Sequence, residues 1–156
     1  MTRRFGLLAA LILFACAGCV QGPPGEVFHG TLPPLAPGLA RLVFYRIADP
    51  YGATEMSMVS LNDKPAGMSQ LGGMFYRDVT PQAYYVTMVS RRAFPNQFKT
   101  VAPRAGETFY IRLSTLPRQS CNLVLGIECS DDAFIVQVVA PEIGARDIQG
   151  LYLTAG

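Results

Sequence analysis

"ETFYIRLS", residues 107 to 114, places Phe109, Ile111 and Leu113 on one side of an extended chain and Thr108, Tyr110, Arg112 and Ser114 on the other. Successive side chains of a strand point to opposite faces, so apolar residues at every second position mark a strand with one face against a core. The same period returns in "ARLVFYRI" (40 to 47), "MSMVSLN" (56 to 62), "AYYVTMVSR" (83 to 91) and "AFIVQVVA" (133 to 140). Shorter strands fit 67 to 71, 74 to 79 and 97 to 101.

Between these stretches stand chain breakers: Asp49 to Gly52, Asn62 to Gly67, Gly72-Gly73, Thr80-Pro81, Phe94-Pro95-Asn96 and Pro103 to Gly106. Roughly seven or eight short strands with no helices between them predict an all-β fold, an antiparallel β-sandwich. The one helix candidate is a short C-terminal one over Pro141 to Tyr152. Pro141 suits a first turn, and Ile148, Leu151 and Tyr152 are placed to dock it, while Gly144 and Gly150 weigh against it. Residues 39 to 156 have the length of one domain.

The chain before that domain reads differently. Arg3 and Arg4 precede a run from Phe5 to Ala15 without a charged side chain. The run is shorter than the roughly 20 apolar residues needed to span a bilayer, so residues 1 to 18 read as an export signal that is removed. Small residues follow in Ala15-Cys16-Ala17-Gly18-Cys19. Ala17-Gly18-Cys19 resembles the end of a bacterial lipobox, which implies cleavage before Cys19 and a diacylglycerol on its sulfur. The usual Leu three residues upstream is here Cys16. A second frame, Leu13-Phe14-Ala15-Cys16, makes Cys16 the lipidated residue. Ordinary cleavage after Ala17 would leave no lipid. A metal or redox role for the Cys16 and Cys19 pair is disfavoured, since an apolar signal segment offers no further ligands. Val20 stands where enteric-type inner-membrane lipoproteins resemble one another in carrying Asp, so the resemblance implies the outer membrane, facing the periplasm.

From Val20 to Gly38 lie five of the twelve prolines and four glycines, and residues 19 to 38 read as a Pro/Gly-rich tether. As polyproline II it would reach up to ~60 Å. His29, the sole histidine, lies within it, where no packed partners fix it for catalysis or metal binding. Loss of Arg3 and Arg4 turns 13 basic against 11 acidic side chains into 11 against 11. Without a net charge, and with no basic run longer than Arg91-Arg92, the chain carries no electrostatic footprint for nucleic acid.

Across residues 40 to 140, a "VFYRI" strand is followed by "VSLNDKPAG", then "FYRDVTPQAYYVTMVS", then "AGETFYIRL". This order resembles the small bacterial lipoprotein family catalogued as domain of unknown function 2846 and, more distantly, transthyretin-like sandwiches. The resemblance implies a β-sandwich and no particular activity. That family has a Pro-Gly turn where this chain has Pro81-Gln82.

Cys121 and Cys129 flank Gly126 in "RQSCNLVLGIECSDD". In an oxidising compartment they are expected to form a disulfide, worth about 2.6 kcal/mol in the chain-entropy model. Inside that ring, Leu123, Val124 and Leu125 either enter the core or form an apolar loop for a partner. Glu128, Asp131 and Asp132 offer a carboxylate pair or oxygen ligands for calcium, set against the plainer reading of solvated turn residues. Phe75, Tyr76, Tyr84 and Tyr85 are a ligand platform or, more ordinarily, cross-strand packing pairs. Gly72-Gly73 lacks the strand-to-helix setting of a phosphate loop, and no cofactor motif or dedicated metal site is read from the sequence.

These features predict a lipid-anchored cell-envelope lipoprotein, a non-catalytic interaction or structural module in the periplasm, held to the membrane by its lipid and recruiting an envelope protein. Two alternatives stay open. One is a transthyretin-like outer-membrane lipoprotein subunit of an envelope-spanning secretion machine. The other is a calcium-dependent binder or hydrolase using Glu128, Asp131 and Asp132.

Overall fold

The computed structural model describes residues 25–48, 56–88, 98–115 and 134–154. Its strands are β1 (Ala40–Tyr45), β2 (Ser57–Leu61), β3 (Lys64–Ser69), β4 (Gly73–Val79), β5 (Tyr84–Met88), β6 (Phe98–Val101), β7 (Thr108–Thr115), β8 (Phe134–Val139) and β9 (Tyr152–Leu153). A helix, α1 (Pro141–Asp147), precedes β9. The strands form a five-stranded sheet in the order β8-β7-β1-β4-β9 and a four-stranded sheet in the order β3-β2-β5-β6. The all-β sandwich and the short C-terminal helix expected from the sequence are both present.

Strand direction is the finding that alternation does not carry. Most pairings are antiparallel, but β1 with β7 and β4 with β9 are parallel. The chain leaves the five-stranded sheet after β4, makes β5 and β6 in the other sheet, and returns as β7 beside β1. A crossover of that length is what allows a parallel neighbour.

The core between the sheets holds Leu42, Phe44, Val59, Phe75, Tyr84, Val86, Ile111, Leu113, Phe134 and Val136. Phe44 and Phe75 sit opposite each other on β1 and β4 and stack with ring centroids 4.9 Å apart. A second core lies on the other face of the five-stranded sheet, with Val43, Tyr45, Met74, Tyr110, Ile148 and Leu151. Every residue of β1 is therefore buried. The one-sided burial expected for "ARLVFYRI" does not hold for β1, whose unbroken apolar run Leu42-Val43-Phe44-Tyr45 is the sequence trace of that double burial.

Local chemistry sets the turns. Asn62 and Asp63 join β2 to β3 with φ of 48° and 63°, the left-handed pair of a two-residue hairpin that Asn and Asp tolerate. Pro65 sits on β3, an edge strand, where a missing N–H costs no ladder bond, and the register with β2 shifts beside it. At Thr80 to Ala83, where the resembling family carries a Pro-Gly turn, the Tyr84 hydroxyl donates to the Thr80 carbonyl at 2.9 Å and accepts from Gln82 Nε2 at 3.0 Å. A buried side chain thus closes the turn. Tyr84→Phe is expected to lower the unfolding free energy by about 1 kcal/mol, read as a lower denaturant midpoint at unchanged slope. An unchanged midpoint would remove this closing role.

Helix α1 begins with Pro in its first turn and has Ile148 as its C-cap. The two glycines that weighed against a helix have structural reasons. A Cβ on Gly144 would lie 2.2 to 2.5 Å from Tyr110 Cγ, Cβ and Cδ1, so this position lets the helix lie directly on β7. Gly150, at φ 82°, turns the chain after the helix into β9. Ile148 and Leu151 dock as expected, whereas Tyr152 belongs to β9 and is exposed.

The N-terminal segment also differs from a free tether. From Glu26 to Pro33 it lies on the domain: the Phe28 amide donates to the Leu151 carbonyl at 2.7 Å, the Leu153 amide to Glu26 at 2.8 Å and the Gly150 amide to Phe28 at 2.9 Å. Phe28 and Leu32 pack against the second core. The physical reason is an open edge: β9 has unpaired backbone groups, and two apolar side chains in the Pro/Gly-rich stretch supply the burial that holds it there.

Candidate functional site

Cys16, Cys19, Cys121, Cys129, Leu123, Val124, Leu125, Glu128, Asp131, Asp132, Arg91 and Arg92 lie outside the described residues. His29 is exposed on the docked segment. The four aromatics considered as a platform are divided among three environments. Phe75 and Tyr84 enter the inter-sheet core, Tyr76 packs on the opposite face of the five-stranded sheet, and Tyr85 is exposed on β5.

Two polar clusters hold the second core together. Arg41 on β1 faces Asp78 on β4 in register, and its guanidinium donates in fork geometry, Nε to Oδ1 at 2.6 Å and Nη2 to Oδ2 at 2.8 Å. Its remaining nitrogen, Nη1, donates to the Pro33 carbonyl, and the guanidinium carbon stands 4.5 Å from the Tyr76 ring centroid. The hydrogen bonds from Arg41 hold the Asp78 carboxyl below its usual range, and the carboxylate in turn raises Arg41. This pair clasps the incoming N-terminal segment to the sheet. In sequence the partners are 37 positions apart, and nothing local links Arg41 in "ARLVFYRI" to Asp78.

In the second cluster the Tyr45 hydroxyl donates to Asp147 Oδ2 at 3.1 Å, tying β1 to the end of α1. Burial, and then the nearby Asp147 carboxylate, push the Tyr45 phenol well above its ordinary range. Burial also raises Tyr110. Both phenols stay protonated at neutral pH; Tyr45 donates to Asp147, and Tyr110 packs in the second core. Among the described residues no three His, Cys, Asp or Glu side chains come together in a metal-binding group, and no helix is long and apolar enough to cross a membrane.

The two sheets present unlike outer faces. The five-stranded sheet is capped by α1 and residues 26 to 33. The four-stranded sheet turns Met58, Met68, Thr87, Tyr85, Phe98 and Thr100 outward, as the pairings Met58 with Met68, Thr87 with Phe98 and Tyr85 with Thr100 require. Tyr85 and Phe98 are 39% and 50% exposed, yet their rings contact each other with centroids 5.4 Å apart. No described element packs over this face. An exposed aromatic pair on a sheet can bury apolar area against another surface with little ordering cost.

Fold and surface together define an all-β sandwich with one face capped by a helix and the other partly aromatic and, among the described residues, without a covering element. No family model, curated protein or solved structure matches the chain.

Proposed function

We propose that this protein is a lipid-anchored cell-envelope module that acts by binding a protein partner and not by catalysis. Its anchor is the lipid on Cys19, its compartment the periplasm, and its partner surface the open face of the four-stranded sheet. The observation that carries the binding reading is the exposed Tyr85 and Phe98 pair on that face. Aromatics of this kind are over-represented among residues that dominate interface energies. The basic start, short apolar run and Ala17-Gly18-Cys19 support the anchor.

Two measurements test the reading. Intact mass of the membrane-extracted chain is expected to give an N-acylated, diacylglyceryl-modified protein starting at Cys19; an unmodified chain starting at Gly18 overturns the anchor. For the surface, a photo-reactive residue at Thr100 is expected to give one discrete protein adduct in intact cells. Tyr85→Ser with Phe98→Ser, both at exposed positions, should leave the fold intact and weaken that interaction roughly tenfold or more. An adduct of undiminished yield in the double variant overturns this face as the binding surface.

A further inference from the structure

The edge of the five-stranded sheet carries information about where the domain sits. Val27 bridges Tyr152 in antiparallel fashion, so residues 26 to 28 extend the sheet beyond β9. Val27, Tyr152 and Leu153 are large apolar residues, each 37 to 40% exposed, gathered on this one edge. The first described residue lies at the same place: a Cβ on Gly25 would stand 1.7 Å from the Leu153 carbonyl oxygen, so the backbone there lies directly against β9.

From this geometry we infer that the edge formed by Val27, Tyr152 and Leu153 rests on the lipid surface, and that the domain is held against the membrane and not extended away from it. The inference depends on the Cys19 anchor proposed above. Seven residue steps separate Cys19 from Glu26, which is paired with Leu153. Fully extended, seven steps reach ~25 Å. A packed domain of this length has a radius of gyration of about 14 Å and is therefore roughly 35 Å across. The anchor cannot reach around the domain, so the exit edge is the part nearest the bilayer. Tyr and aliphatic side chains suit the interfacial region, where an apolar body is buried and a hydroxyl stays hydrated. Val27, Tyr152 and Leu153 are uncharged, and Glu26 and His29 are the titratable side chains of the docked 26–33 segment, so the contact is expected to depend little on salt. The open face lies elsewhere: β6, which carries Phe98, packs near β8, while β9 is at the opposite end of the strand order.

The chain contains no tryptophan, so a single substitution reports its own position. The full-length lipidated protein carrying Tyr152→Trp, and separately Phe98→Trp, is inserted into phosphatidylethanolamine and phosphatidylglycerol vesicles, with and without brominated acyl chains. Tyr152→Trp is expected to emit at shorter wavelength on the vesicles and to lose most of its emission to the bromines, while Phe98→Trp keeps its emission. Equal quenching at both positions, or none at Tyr152→Trp, in a chain whose mass carries the lipid overturns the contact and leaves the anchor standing. A chain without lipid overturns both.

Discussion

Gly144→Ala is expected to destabilise the protein by about 3 kcal/mol, although Ala is the better helix former by about 1 kcal/mol. On an isolated helix the change would be favourable. Here the new methyl group would meet Tyr110 at Cγ, Cβ and Cδ1, all within 2.5 Å. The Tyr110 Cβ, 2.3 Å from the new methyl, is fixed to the β7 backbone, so no rotamer change relieves that contact. The helix has to lift instead, loosening Ile148 and Leu151 from Val43, Tyr45 and Met74. Chemical denaturation measures the effect directly. A variant more stable than the parent, as propensity alone requires, would refute the close contact of α1 with β7.

Asp78→Ala is expected to cost about 2–3 kcal/mol, toward the lower end for breaking a buried ion pair because the Asp78 side chain is 28% exposed while that of Arg41 is 4% exposed. The loss leaves a buried guanidinium with the Pro33 carbonyl and the Tyr76 ring as its remaining partners among those described. A dependence on pH follows from the lowered Asp78 pKa. The unfolded carboxyl titrates near pH 4 and the folded one lower, so the pair's contribution is complete above about pH 4 and is lost as pH falls through the folded value. Asp78→Asn should flatten that acid limb of the stability profile. Amide exchange supplies a second readout: with the clasp gone, the Phe28, Gly150 and Leu153 amides, which bond across the docked segment, should exchange faster. Unchanged exchange would mean that the Arg41–Asp78 pairing is not what keeps residues 26 to 33 in place.

That clasp bears on function through reach. With residues 26 to 33 free, the chain from Cys19 would be a spacer, and the domain could work some distance from the membrane. With them docked, seven residue steps remain, and under the proposed Cys19 anchor the domain would work at the surface. Arg41 and Asp78 are thus positioning residues for the proposed membrane contact. The Asp78 variants therefore also bear on the geometry of the anchored protein.

The candidate binding surface was partly legible in the sequence. Tyr85 is grouped there with Phe75, Tyr76 and Tyr84, and Phe98 falls within the short strand expected at 97 to 101. That grouping fails because neighbouring strand residues point to opposite faces and the strands belong to different sheets: Phe75 faces inward from β4, Tyr76 outward, and Tyr85 lies on the other sheet altogether. Phe98 was assigned to a short strand but not paired with Tyr85, since pairing across β5 and β6 is a matter of register.

Features that depend on near neighbours are legible in the chain: alternation in "ETFYIRLS", a break beginning at Asn62, the Pro-initiated helix, and hence an all-β sandwich with a short helix near its end, although β3 starts at Lys64, inside the expected break over 62 to 67. Packing of the whole chain sets the rest: β7 runs parallel to β1, α1 covers the face of Tyr110, Arg41 meets Asp78 and residues 26 to 28 extend the sheet edge. Each of these joins groups far apart in the chain. Side-chain period records which face is apolar but carries no label for the partner that covers it, so the choice among partners rests on packing and backbone pairing in the whole fold.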